Sequence, residues 1–285
     1  MNAAWLAQLP LPAVATATPV SGGDVNQAWH LRTQAGEDYF LLVQPGQPQS
    51  FYDGEVAGLR AFARSGVTAP RVIAQGTVEG DGFLVLSYLT SGTGSQADLG
   101  RLVAHLHAYA SPNGQCGFEQ PTAGTSISFA NRWTPSWSDL FVGERLDRLA
   151  AQLTRKGLWT AADAQQYQRV RSVVVHALQH HQEAPVLLHG DLWSGNFMFT
   201  ADGQPALIDP AALYGDREFD IGISTVFGGF TAAFYTAYQQ VRPLAPGYEQ
   251  RLPFYQLYLL MVHLDKFGAA YYDAVTSVMH NILTV

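Results

Sequence analysis

The stretch LLHGDLWSGNFMFTADGQPALIDPAALYGDREFD, residues 187 to 220, carries the densest chemistry of the chain. It holds His189-Gly190-Asp191, then Asn196 five residues after that aspartate, then Asp209. The residues between Asn196 and Asp209 read as a β-hairpin. Phe197 to Thr200 is apolar and aromatic, as strands are. Ala201-Asp202-Gly203 supplies an Asp-Gly turn. Gln204 to Ile208 is the return strand, and Pro205 places it at an edge. A hairpin brings its two ends together, so Asn196 and Asp209 are expected side by side. Two oxygen ligands at that mouth suit a hard, mostly hydrated cation such as Mg²⁺. Asp191 or Asp209 alone would read as an ordinary turn carboxylate. Their joint spacing around a hairpin argues for a site.

His-x-Asp with an asparagine five residues after the aspartate is the catalytic-loop pattern of kinases. There the aspartate accepts the proton of the substrate hydroxyl and the asparagine holds a metal ion. The run HGDLWSGN, followed by IDPA and YGDREFD, is far more specific, and closely resembles the fructosamine kinases, or ketosamine 3-kinases. These are relatives of the aminoglycoside phosphotransferases. The resemblance extends to Gly22-Gly23 through Asn26, the Gly54-Glu55 region, Phe83 to Leu89, the Asn131/Trp133/Trp137 region and Tyr255-Gln256-Leu257-Tyr258, and so covers most of the chain.

The resemblance implies an α+β, bilobal, protein-kinase-like fold. Residues 1–86 would form a small antiparallel-sheet lobe with one helix, and 87–285 a larger, mostly helical lobe, with ATP between them. It implies phosphate transfer from ATP to the sugar O3 hydroxyl of a ketosamine, free or protein-bound, as in deglycation repair. Asp191 would be the base, and Asn196 and Asp209 would hold Mg²⁺. Gly22 and Gly23, alone an ordinary turn, become the candidate phosphate-covering loop. Ser87, Tyr88 and Leu89 would cross between lobes beside the adenine. Trp193, Asn131 and Trp133 are candidates to pack on the sugar, with simple loop anchoring or core packing as the alternative for the tryptophans. Asp216, Arg217 and Asp220 are expected to brace the loops after the metal aspartate.

One departure stands out. In the family the strand Tyr39-Phe40-Leu41-Leu42-Val43 ends in Val-Lys, and that lysine holds the ATP phosphates. Here the matching residue is read as Gln44, which can donate a hydrogen bond but carries no charge. Glu55, the family's partner for the lysine, is then expected to accept from the Gln44 amide, or to be a surface carboxylate at a helix start. The only lysines of the chain are Lys156 and Lys266. Arg32 and Arg71 are basic candidates without positional support.

Elsewhere the pattern predicts strands over 28–33, 39–43, 72–78 and 83–86, and a helix over 51–65 with Gly66 as its C-cap. Ser95-x-x-Asp98 and Thr160-x-x-Asp163 read as helix starts. Further helices are expected up to Gly157, over 219–240 and over 248–283. His105 and His107 do not share a helix face, so core or surface roles are expected. The His180-His181 pair is expected to be solvated.

With 285 residues, 47% hydrophobic and 14% charged, the chain has the composition of a well-cored globular protein. A net charge of −7 without a basic block disfavours nucleic acid and anionic membranes as partners. The single cysteine, Cys116, excludes an intrachain disulfide and a Cys-rich metal site. No signal peptide or membrane-length apolar run is evident, so a cytoplasmic protein is expected. Two other functions stay open: a kinase for another small hydroxyl compound, such as an aminoglycoside or a choline-like alcohol, and a nucleotide-binding protein with impaired catalysis.

Overall fold

The structure is a computed structural model, and it describes residues 2–20, 27–122, 127–181 and 183–284. After a one-turn helix, α1 (Ala3–Leu6), the chain builds an antiparallel sheet from β1 (Val14–Pro19), β2 (Gln27–Thr33), β3 (Asp38–Gln44), β4 (Val72–Val78) and β5 (Asp81–Ser87). Its order is β1-β2-β3-β5-β4. The helix α2 (Asp53–Ser65) lies between β3 and β4 in sequence and ends at Gly66, whose φ of 78° gives the left-handed C-cap that glycine allows.

Strand alternation sets the two faces of this sheet. Leu31, Leu41, Val43 and Val85 face a cluster that includes Trp5 and Leu9 of the N-terminal segment. Ala28, Leu42, Leu84 and Leu86 face the other way, and share a buried cluster with Tyr52, Val56 and Leu59. No bounds are predicted for β1. Its short Ala/Thr side chains leave it without a buried face, so the hydrophobic pattern that reveals strands is missing.

The rest is mainly helical: α3 (Gln96–Leu106), a π-helical stretch Asp139–Leu146 running into α4 (Asp147–Arg155), and α5 (Ala161–His180). Four short strands follow, β6 (Val186–Leu188), β7 (Phe197–Phe199), β8 (Pro205–Leu207) and β9 (Leu213–Gly215). Then come α6 (Glu218–Ser224), α7 (Ala232–Val241), α8 (Tyr248–Phe267) and α9 (Tyr272–Thr284). Both capping motifs form, with Ser95 accepting from Asp98 N and Thr160 making a complete capping box with Asp163. Two expected long helices are each broken. Gly228 and Gly229 take positive φ, at 73° and 86°, between α6 and α7, and Gly268 at φ 77° separates α8 from α9.

β6 pairs with β9 and β7 with β8, so the segment from 186 to 215 folds back on itself twice. Helix α2 presses on this segment. Phe62 lies 5.7 Å from the His189 ring, centroid to centroid. Thr68, just past the helix, accepts from Leu207 N at 3.0 Å. A Cβ at Gly58 would fall 2.9 Å from Pro210 Cγ and 3.1 Å from Ala212 Cβ. No helix among the described residues is long and apolar enough to cross a membrane.

Gly58→Ala tests this close approach. In an open helix the change would stabilise by about 1 kcal/mol. Overpacking against Pro210 costs about 1–3 kcal/mol, so a lower midpoint in denaturant unfolding is expected. A higher midpoint would mean that α2 does not press on the 209–212 segment.

Candidate active site

Strand β6 delivers the chain to His189, which is completely buried. Its ring accepts from Asp191 N through Nδ1 at 3.2 Å and lies 2.9 Å from Ile208 O through Nε2. That pairing fixes the neutral tautomer with the proton on Nε2. Burial lowers the histidine pKa and favours the same neutral form. Gly190 follows with φ 83°, and a Cβ there would lie 2.0 Å from Ala211 O, so the turn requires glycine.

One carboxylate holds this turn. Asp220, on the first turn of α6, accepts His189 N at 2.6 Å and Gly190 N at 2.9 Å. His107 Nε2 lies 3.0 Å from it, and the other His107 nitrogen meets Tyr238 OH at 2.8 Å. Asp220, expected as a brace, and His107, expected only in a core or surface role, together form the buried support of the loop.

Asp191 comes next. Asn196 Nδ2 donates to its backbone oxygen at 2.8 Å and to its Oδ2 at 2.9 Å. The β7–β8 hairpin then returns the chain, and Ile208 N donates to Asn196 O at 3.0 Å, so Asn196 and Asp209 do meet at its mouth. Asp209 has φ 52°, a left-handed conformation that aspartate tolerates better than most residues.

The three carboxyl groups here burden one another. Burial, and then the Asp209 charge, push Asp191 up to about 7, against the opposing pull of the Asn196 amide. Burial also raises Asp209, with His189 and Lys266 working the other way. Glu55, on the first turn of α2, is raised well above the ordinary carboxyl range by burial and then by Asp209. A cluster of oxygen donors whose negative charge is poorly accommodated fits a hard divalent cation.

The family model for fructosamine kinases matches residues 2–285. The chain belongs to the fructosamine kinase family. It is 55% identical over 284 residues to a probable ketoamine kinase of Staphylococcus aureus, covering 99% of this chain and 98% of that one. A solved Thermobifida fusca structure, provisionally assigned as a fructosamine-3-kinase, superposes with a TM-score of 0.86 at 25% identity, covering 99% and 98% of the two chains. An aminoglycoside phosphotransferase solved with ADP and hygromycin B gives 0.68 at 15% identity over 94% and 95%, a likeness of fold alone. The protein is thus a bilobal, protein-kinase-like member of the fructosamine kinases.

In this fructosamine kinase the strand beside α2 carries no cation. β3 turns Phe40, Leu42 and Gln44 to the face that α2 covers, and it is Leu42 that shares the buried cluster with Tyr52 and Val56. Gln44 lies at the strand's end opposite Gly82. Its Oε1 is buried without a hydrogen-bond partner. Among the described residues it makes no hydrogen bond to Glu55, whose carboxyl instead faces the field of Asp209. The expected Gln44–Glu55 pair is therefore replaced by a Glu55–Asp209 pair.

The other expected residues divide. Ser87 closes β5, and its Oγ accepts Arg71 N at 2.9 Å. The Tyr88 ring stacks on His30 at 4.0 Å, and Leu89 follows it half-buried. Trp193 is 39% exposed, and its ring lies back over Gly195. Asn131 and Trp133 are taken up by contacts of their own. Asn131 is buried, donates to Gln120 O and Thr122 Oγ1 at 2.8 and 3.0 Å, and accepts from Arg145 at 2.5 Å. Trp133 stacks on Tyr214 at 5.8 Å. Gly22 and Gly23 lie outside the described residues.

Tyr258 is a neighbour of Asp191 that no motif assigned. Burial pushes its hydroxyl up to about 12, Arg145 opposes this, and the Asp191 charge adds to it. The signal was present in the Tyr255–Tyr258 run, which carried the family resemblance without a role.

Asp191→Asn separates the electrostatics from the chemistry. The folded-state pKa of Asp191 is raised above its unfolded value of about 3.9, so its contribution to stability falls as pH rises from about 4 to about 7. Thermal unfolding should show the variant gaining stability over the parent at pH 8 and gaining little at pH 4. An equal effect at both pH values would mean that Asp191 titrates as an ordinary surface carboxylate.

Proposed function

We propose that this kinase transfers the γ-phosphoryl group of ATP to the C3 hydroxyl of a ketosamine, acting in the removal of sugar adducts from amines. The reading is carried by Asp191. It is a carboxyl tuned to about 7, fixed by Asn196 and placed beside Asp209, in a chain of this family. A base whose pKa lies near the working pH combines the right protonation state with useful driving force. Asp191 Oδ2 is engaged by Asn196, and the carboxylate would accept the proton of the hydroxyl as its oxygen attacks phosphorus. Ser87 to Leu89 would border the adenine, and the exposed face of Trp193 would lie along the sugar.

Asn196 and Asp209 would hold Mg²⁺, which would neutralise charge on the transferring phosphoryl group. The residues fit. All donors are oxygens, and the raised Asp209 and Glu55 carboxyls reflect negative charge without a cation between them. A second reading, nucleotide binding without transfer, is favoured by the absence of a basic residue at positions 40, 42 and 44 of β3.

An ADP-release assay across substrates tests the choice. Fructosyl and ribulosyl amines should turn over, while an aminoglycoside, choline and free fructose should not. A nucleotide-induced thermal shift without turnover on any of them would establish the binder instead. Asp191→Asn should lower kcat about 10²–10⁴-fold and leave ATP affinity within a few-fold. Asp209→Ala should abolish the Mg²⁺ enhancement of ATP binding in calorimetric titration. A variant that keeps the parent's enhancement removes Asp209 from the metal site.

A further inference from the structure

We propose that His181, as an imidazolium, is a positioning residue for the catalytic loop, clamped between Asp216 and Glu218. Its side chain, expected to be solvated, is 8% exposed. Nε2 lies 3.3 Å from Asp216 Oδ2 and 3.6 Å from Glu218 Oε1. Among the described residues its Nε2 has no well-directed hydrogen bond, and its nearest polar contact is the Asp216 carboxylate. Both carboxylates are at least 95% buried at their side chains, at 5% and 0% exposure.

The charges around this histidine come from three directions. Its own position is just past α5. Asp216 and Glu218 come from the β9–α6 corner. Arg251 and Tyr255 come from α8. Arg251 forks onto Glu218, with Nε and Nη2 each donating at 2.7 Å. Asp216 accepts only neutral donors otherwise, Glu218 N at 2.9 Å and Tyr255 OH at 2.8 Å. A buried carboxylate with neutral donors alone is poorly compensated. An imidazolium at His181 balances the cluster, two negative groups against two positive. The Asp216 contact raises the histidine pKa against burial, and burial of Asp216 is overridden by the same contact.

Three ligand-type atoms so close could also hold a metal ion. The forked Arg251 argues against it, since both Glu218 oxygens are already engaged by a guanidinium.

The connection to catalysis is short. Segment 181–191 is pinned to segment 213–220 at successive points. His181 meets Asp216 and Glu218, and Glu183 meets Arg217 at 2.6 and 2.8 Å. β6 pairs with β9. Finally Asp220 receives the His189 and Gly190 amides. Asp216 and Glu218 open the corner from which Asp220 projects two residues later. Loss of charge on His181 leaves two neighbouring carboxylates with one cation and loosens that corner. Because the folded-state pKa of His181 is raised, its contribution is present below the ordinary histidine pKa and is lost as pH rises through the raised value.

The proposal takes Asp191 as the catalytic residue from the function proposed above, but its test needs no turnover. Amide exchange of the 187–191 peptide, read by mass spectrometry and corrected for intrinsic rates, is compared at pH 6.5 and 9, with parent and variants all carrying Asp191→Asn so that the titration of Asp191 at about 7 does not contribute. The parent should lose about tenfold protection at the higher pH. His181→Gln should be low at both, and His181→Lys, which keeps the charge, should be high at both. Parent-like protection of His181→Gln at pH 6.5 overturns the proposal. Should that variant fail to fold, a His181→Lys profile that drops as the parent's does overturns it equally. Zn²⁺ that raises the melting temperature of the parent but not of His181→Lys would also overturn it, in favour of a metal site.

Discussion

The active site depends on the carboxylate of Asp220. Three donors converge on it: the amides of His189 and Gly190 and the ring of His107. A sharp turn through a left-handed glycine leaves backbone N–H groups aimed inward, away from water. Such donors cost about 1–3 kcal/mol each when buried unpaired. A single charged acceptor satisfies both, and so makes the turn affordable at the centre of the larger lobe. Asp191, the base proposed above, is the next residue and is placed by this turn.

The same turn explains why the lobes meet where they do. Gly58 and Phe62 bring α2 onto the 189–212 segment with no room to spare. That contact carries Glu55 into the field of Asp209. The site therefore gathers buried carboxyl groups that oppose one another, a cost in stability that is usual where charge is arranged for chemistry. A cation would relieve it. With Leu42 lying where β3 faces α2, that relief does not come from the strand.

Around this centre, recognition and scaffolding are separated more cleanly than residue types suggest. The polar atoms of Asn131 are taken by Gln120, Thr122 and Arg145, and Trp133 and Trp137 pack on Tyr214 and Phe141. Trp193 alone among the candidate tryptophans keeps an exposed face next to Asp191.

Local chemistry made much of this legible from residues alone. The Asp-Gly turn dictated the hairpin that joins Asn196 to Asp209, and the caps at Ser95, Thr160 and Gly66 marked their helix ends, because each rests on bonds within a few residues. The spacing of His189, Asp191, Asn196 and Asp209 named the chemistry for the same reason. Burial and partnership were decided only by tertiary structure. β1 has no hydrophobic stripe and becomes a strand by pairing with β2. The breaks at Gly228, Gly229 and Gly268 lie in apolar stretches that helix periodicity runs straight through. That Leu42 packs against α2 while Gln44 ends the strand opposite Gly82 follows from sheet register. His181 is a polar residue in polar surroundings along the chain, and the brace expected of Asp220 did not say which groups it holds. Their roles arise because segments more than thirty residues apart meet in a buried interior, where an unpaired charge is too costly to leave alone.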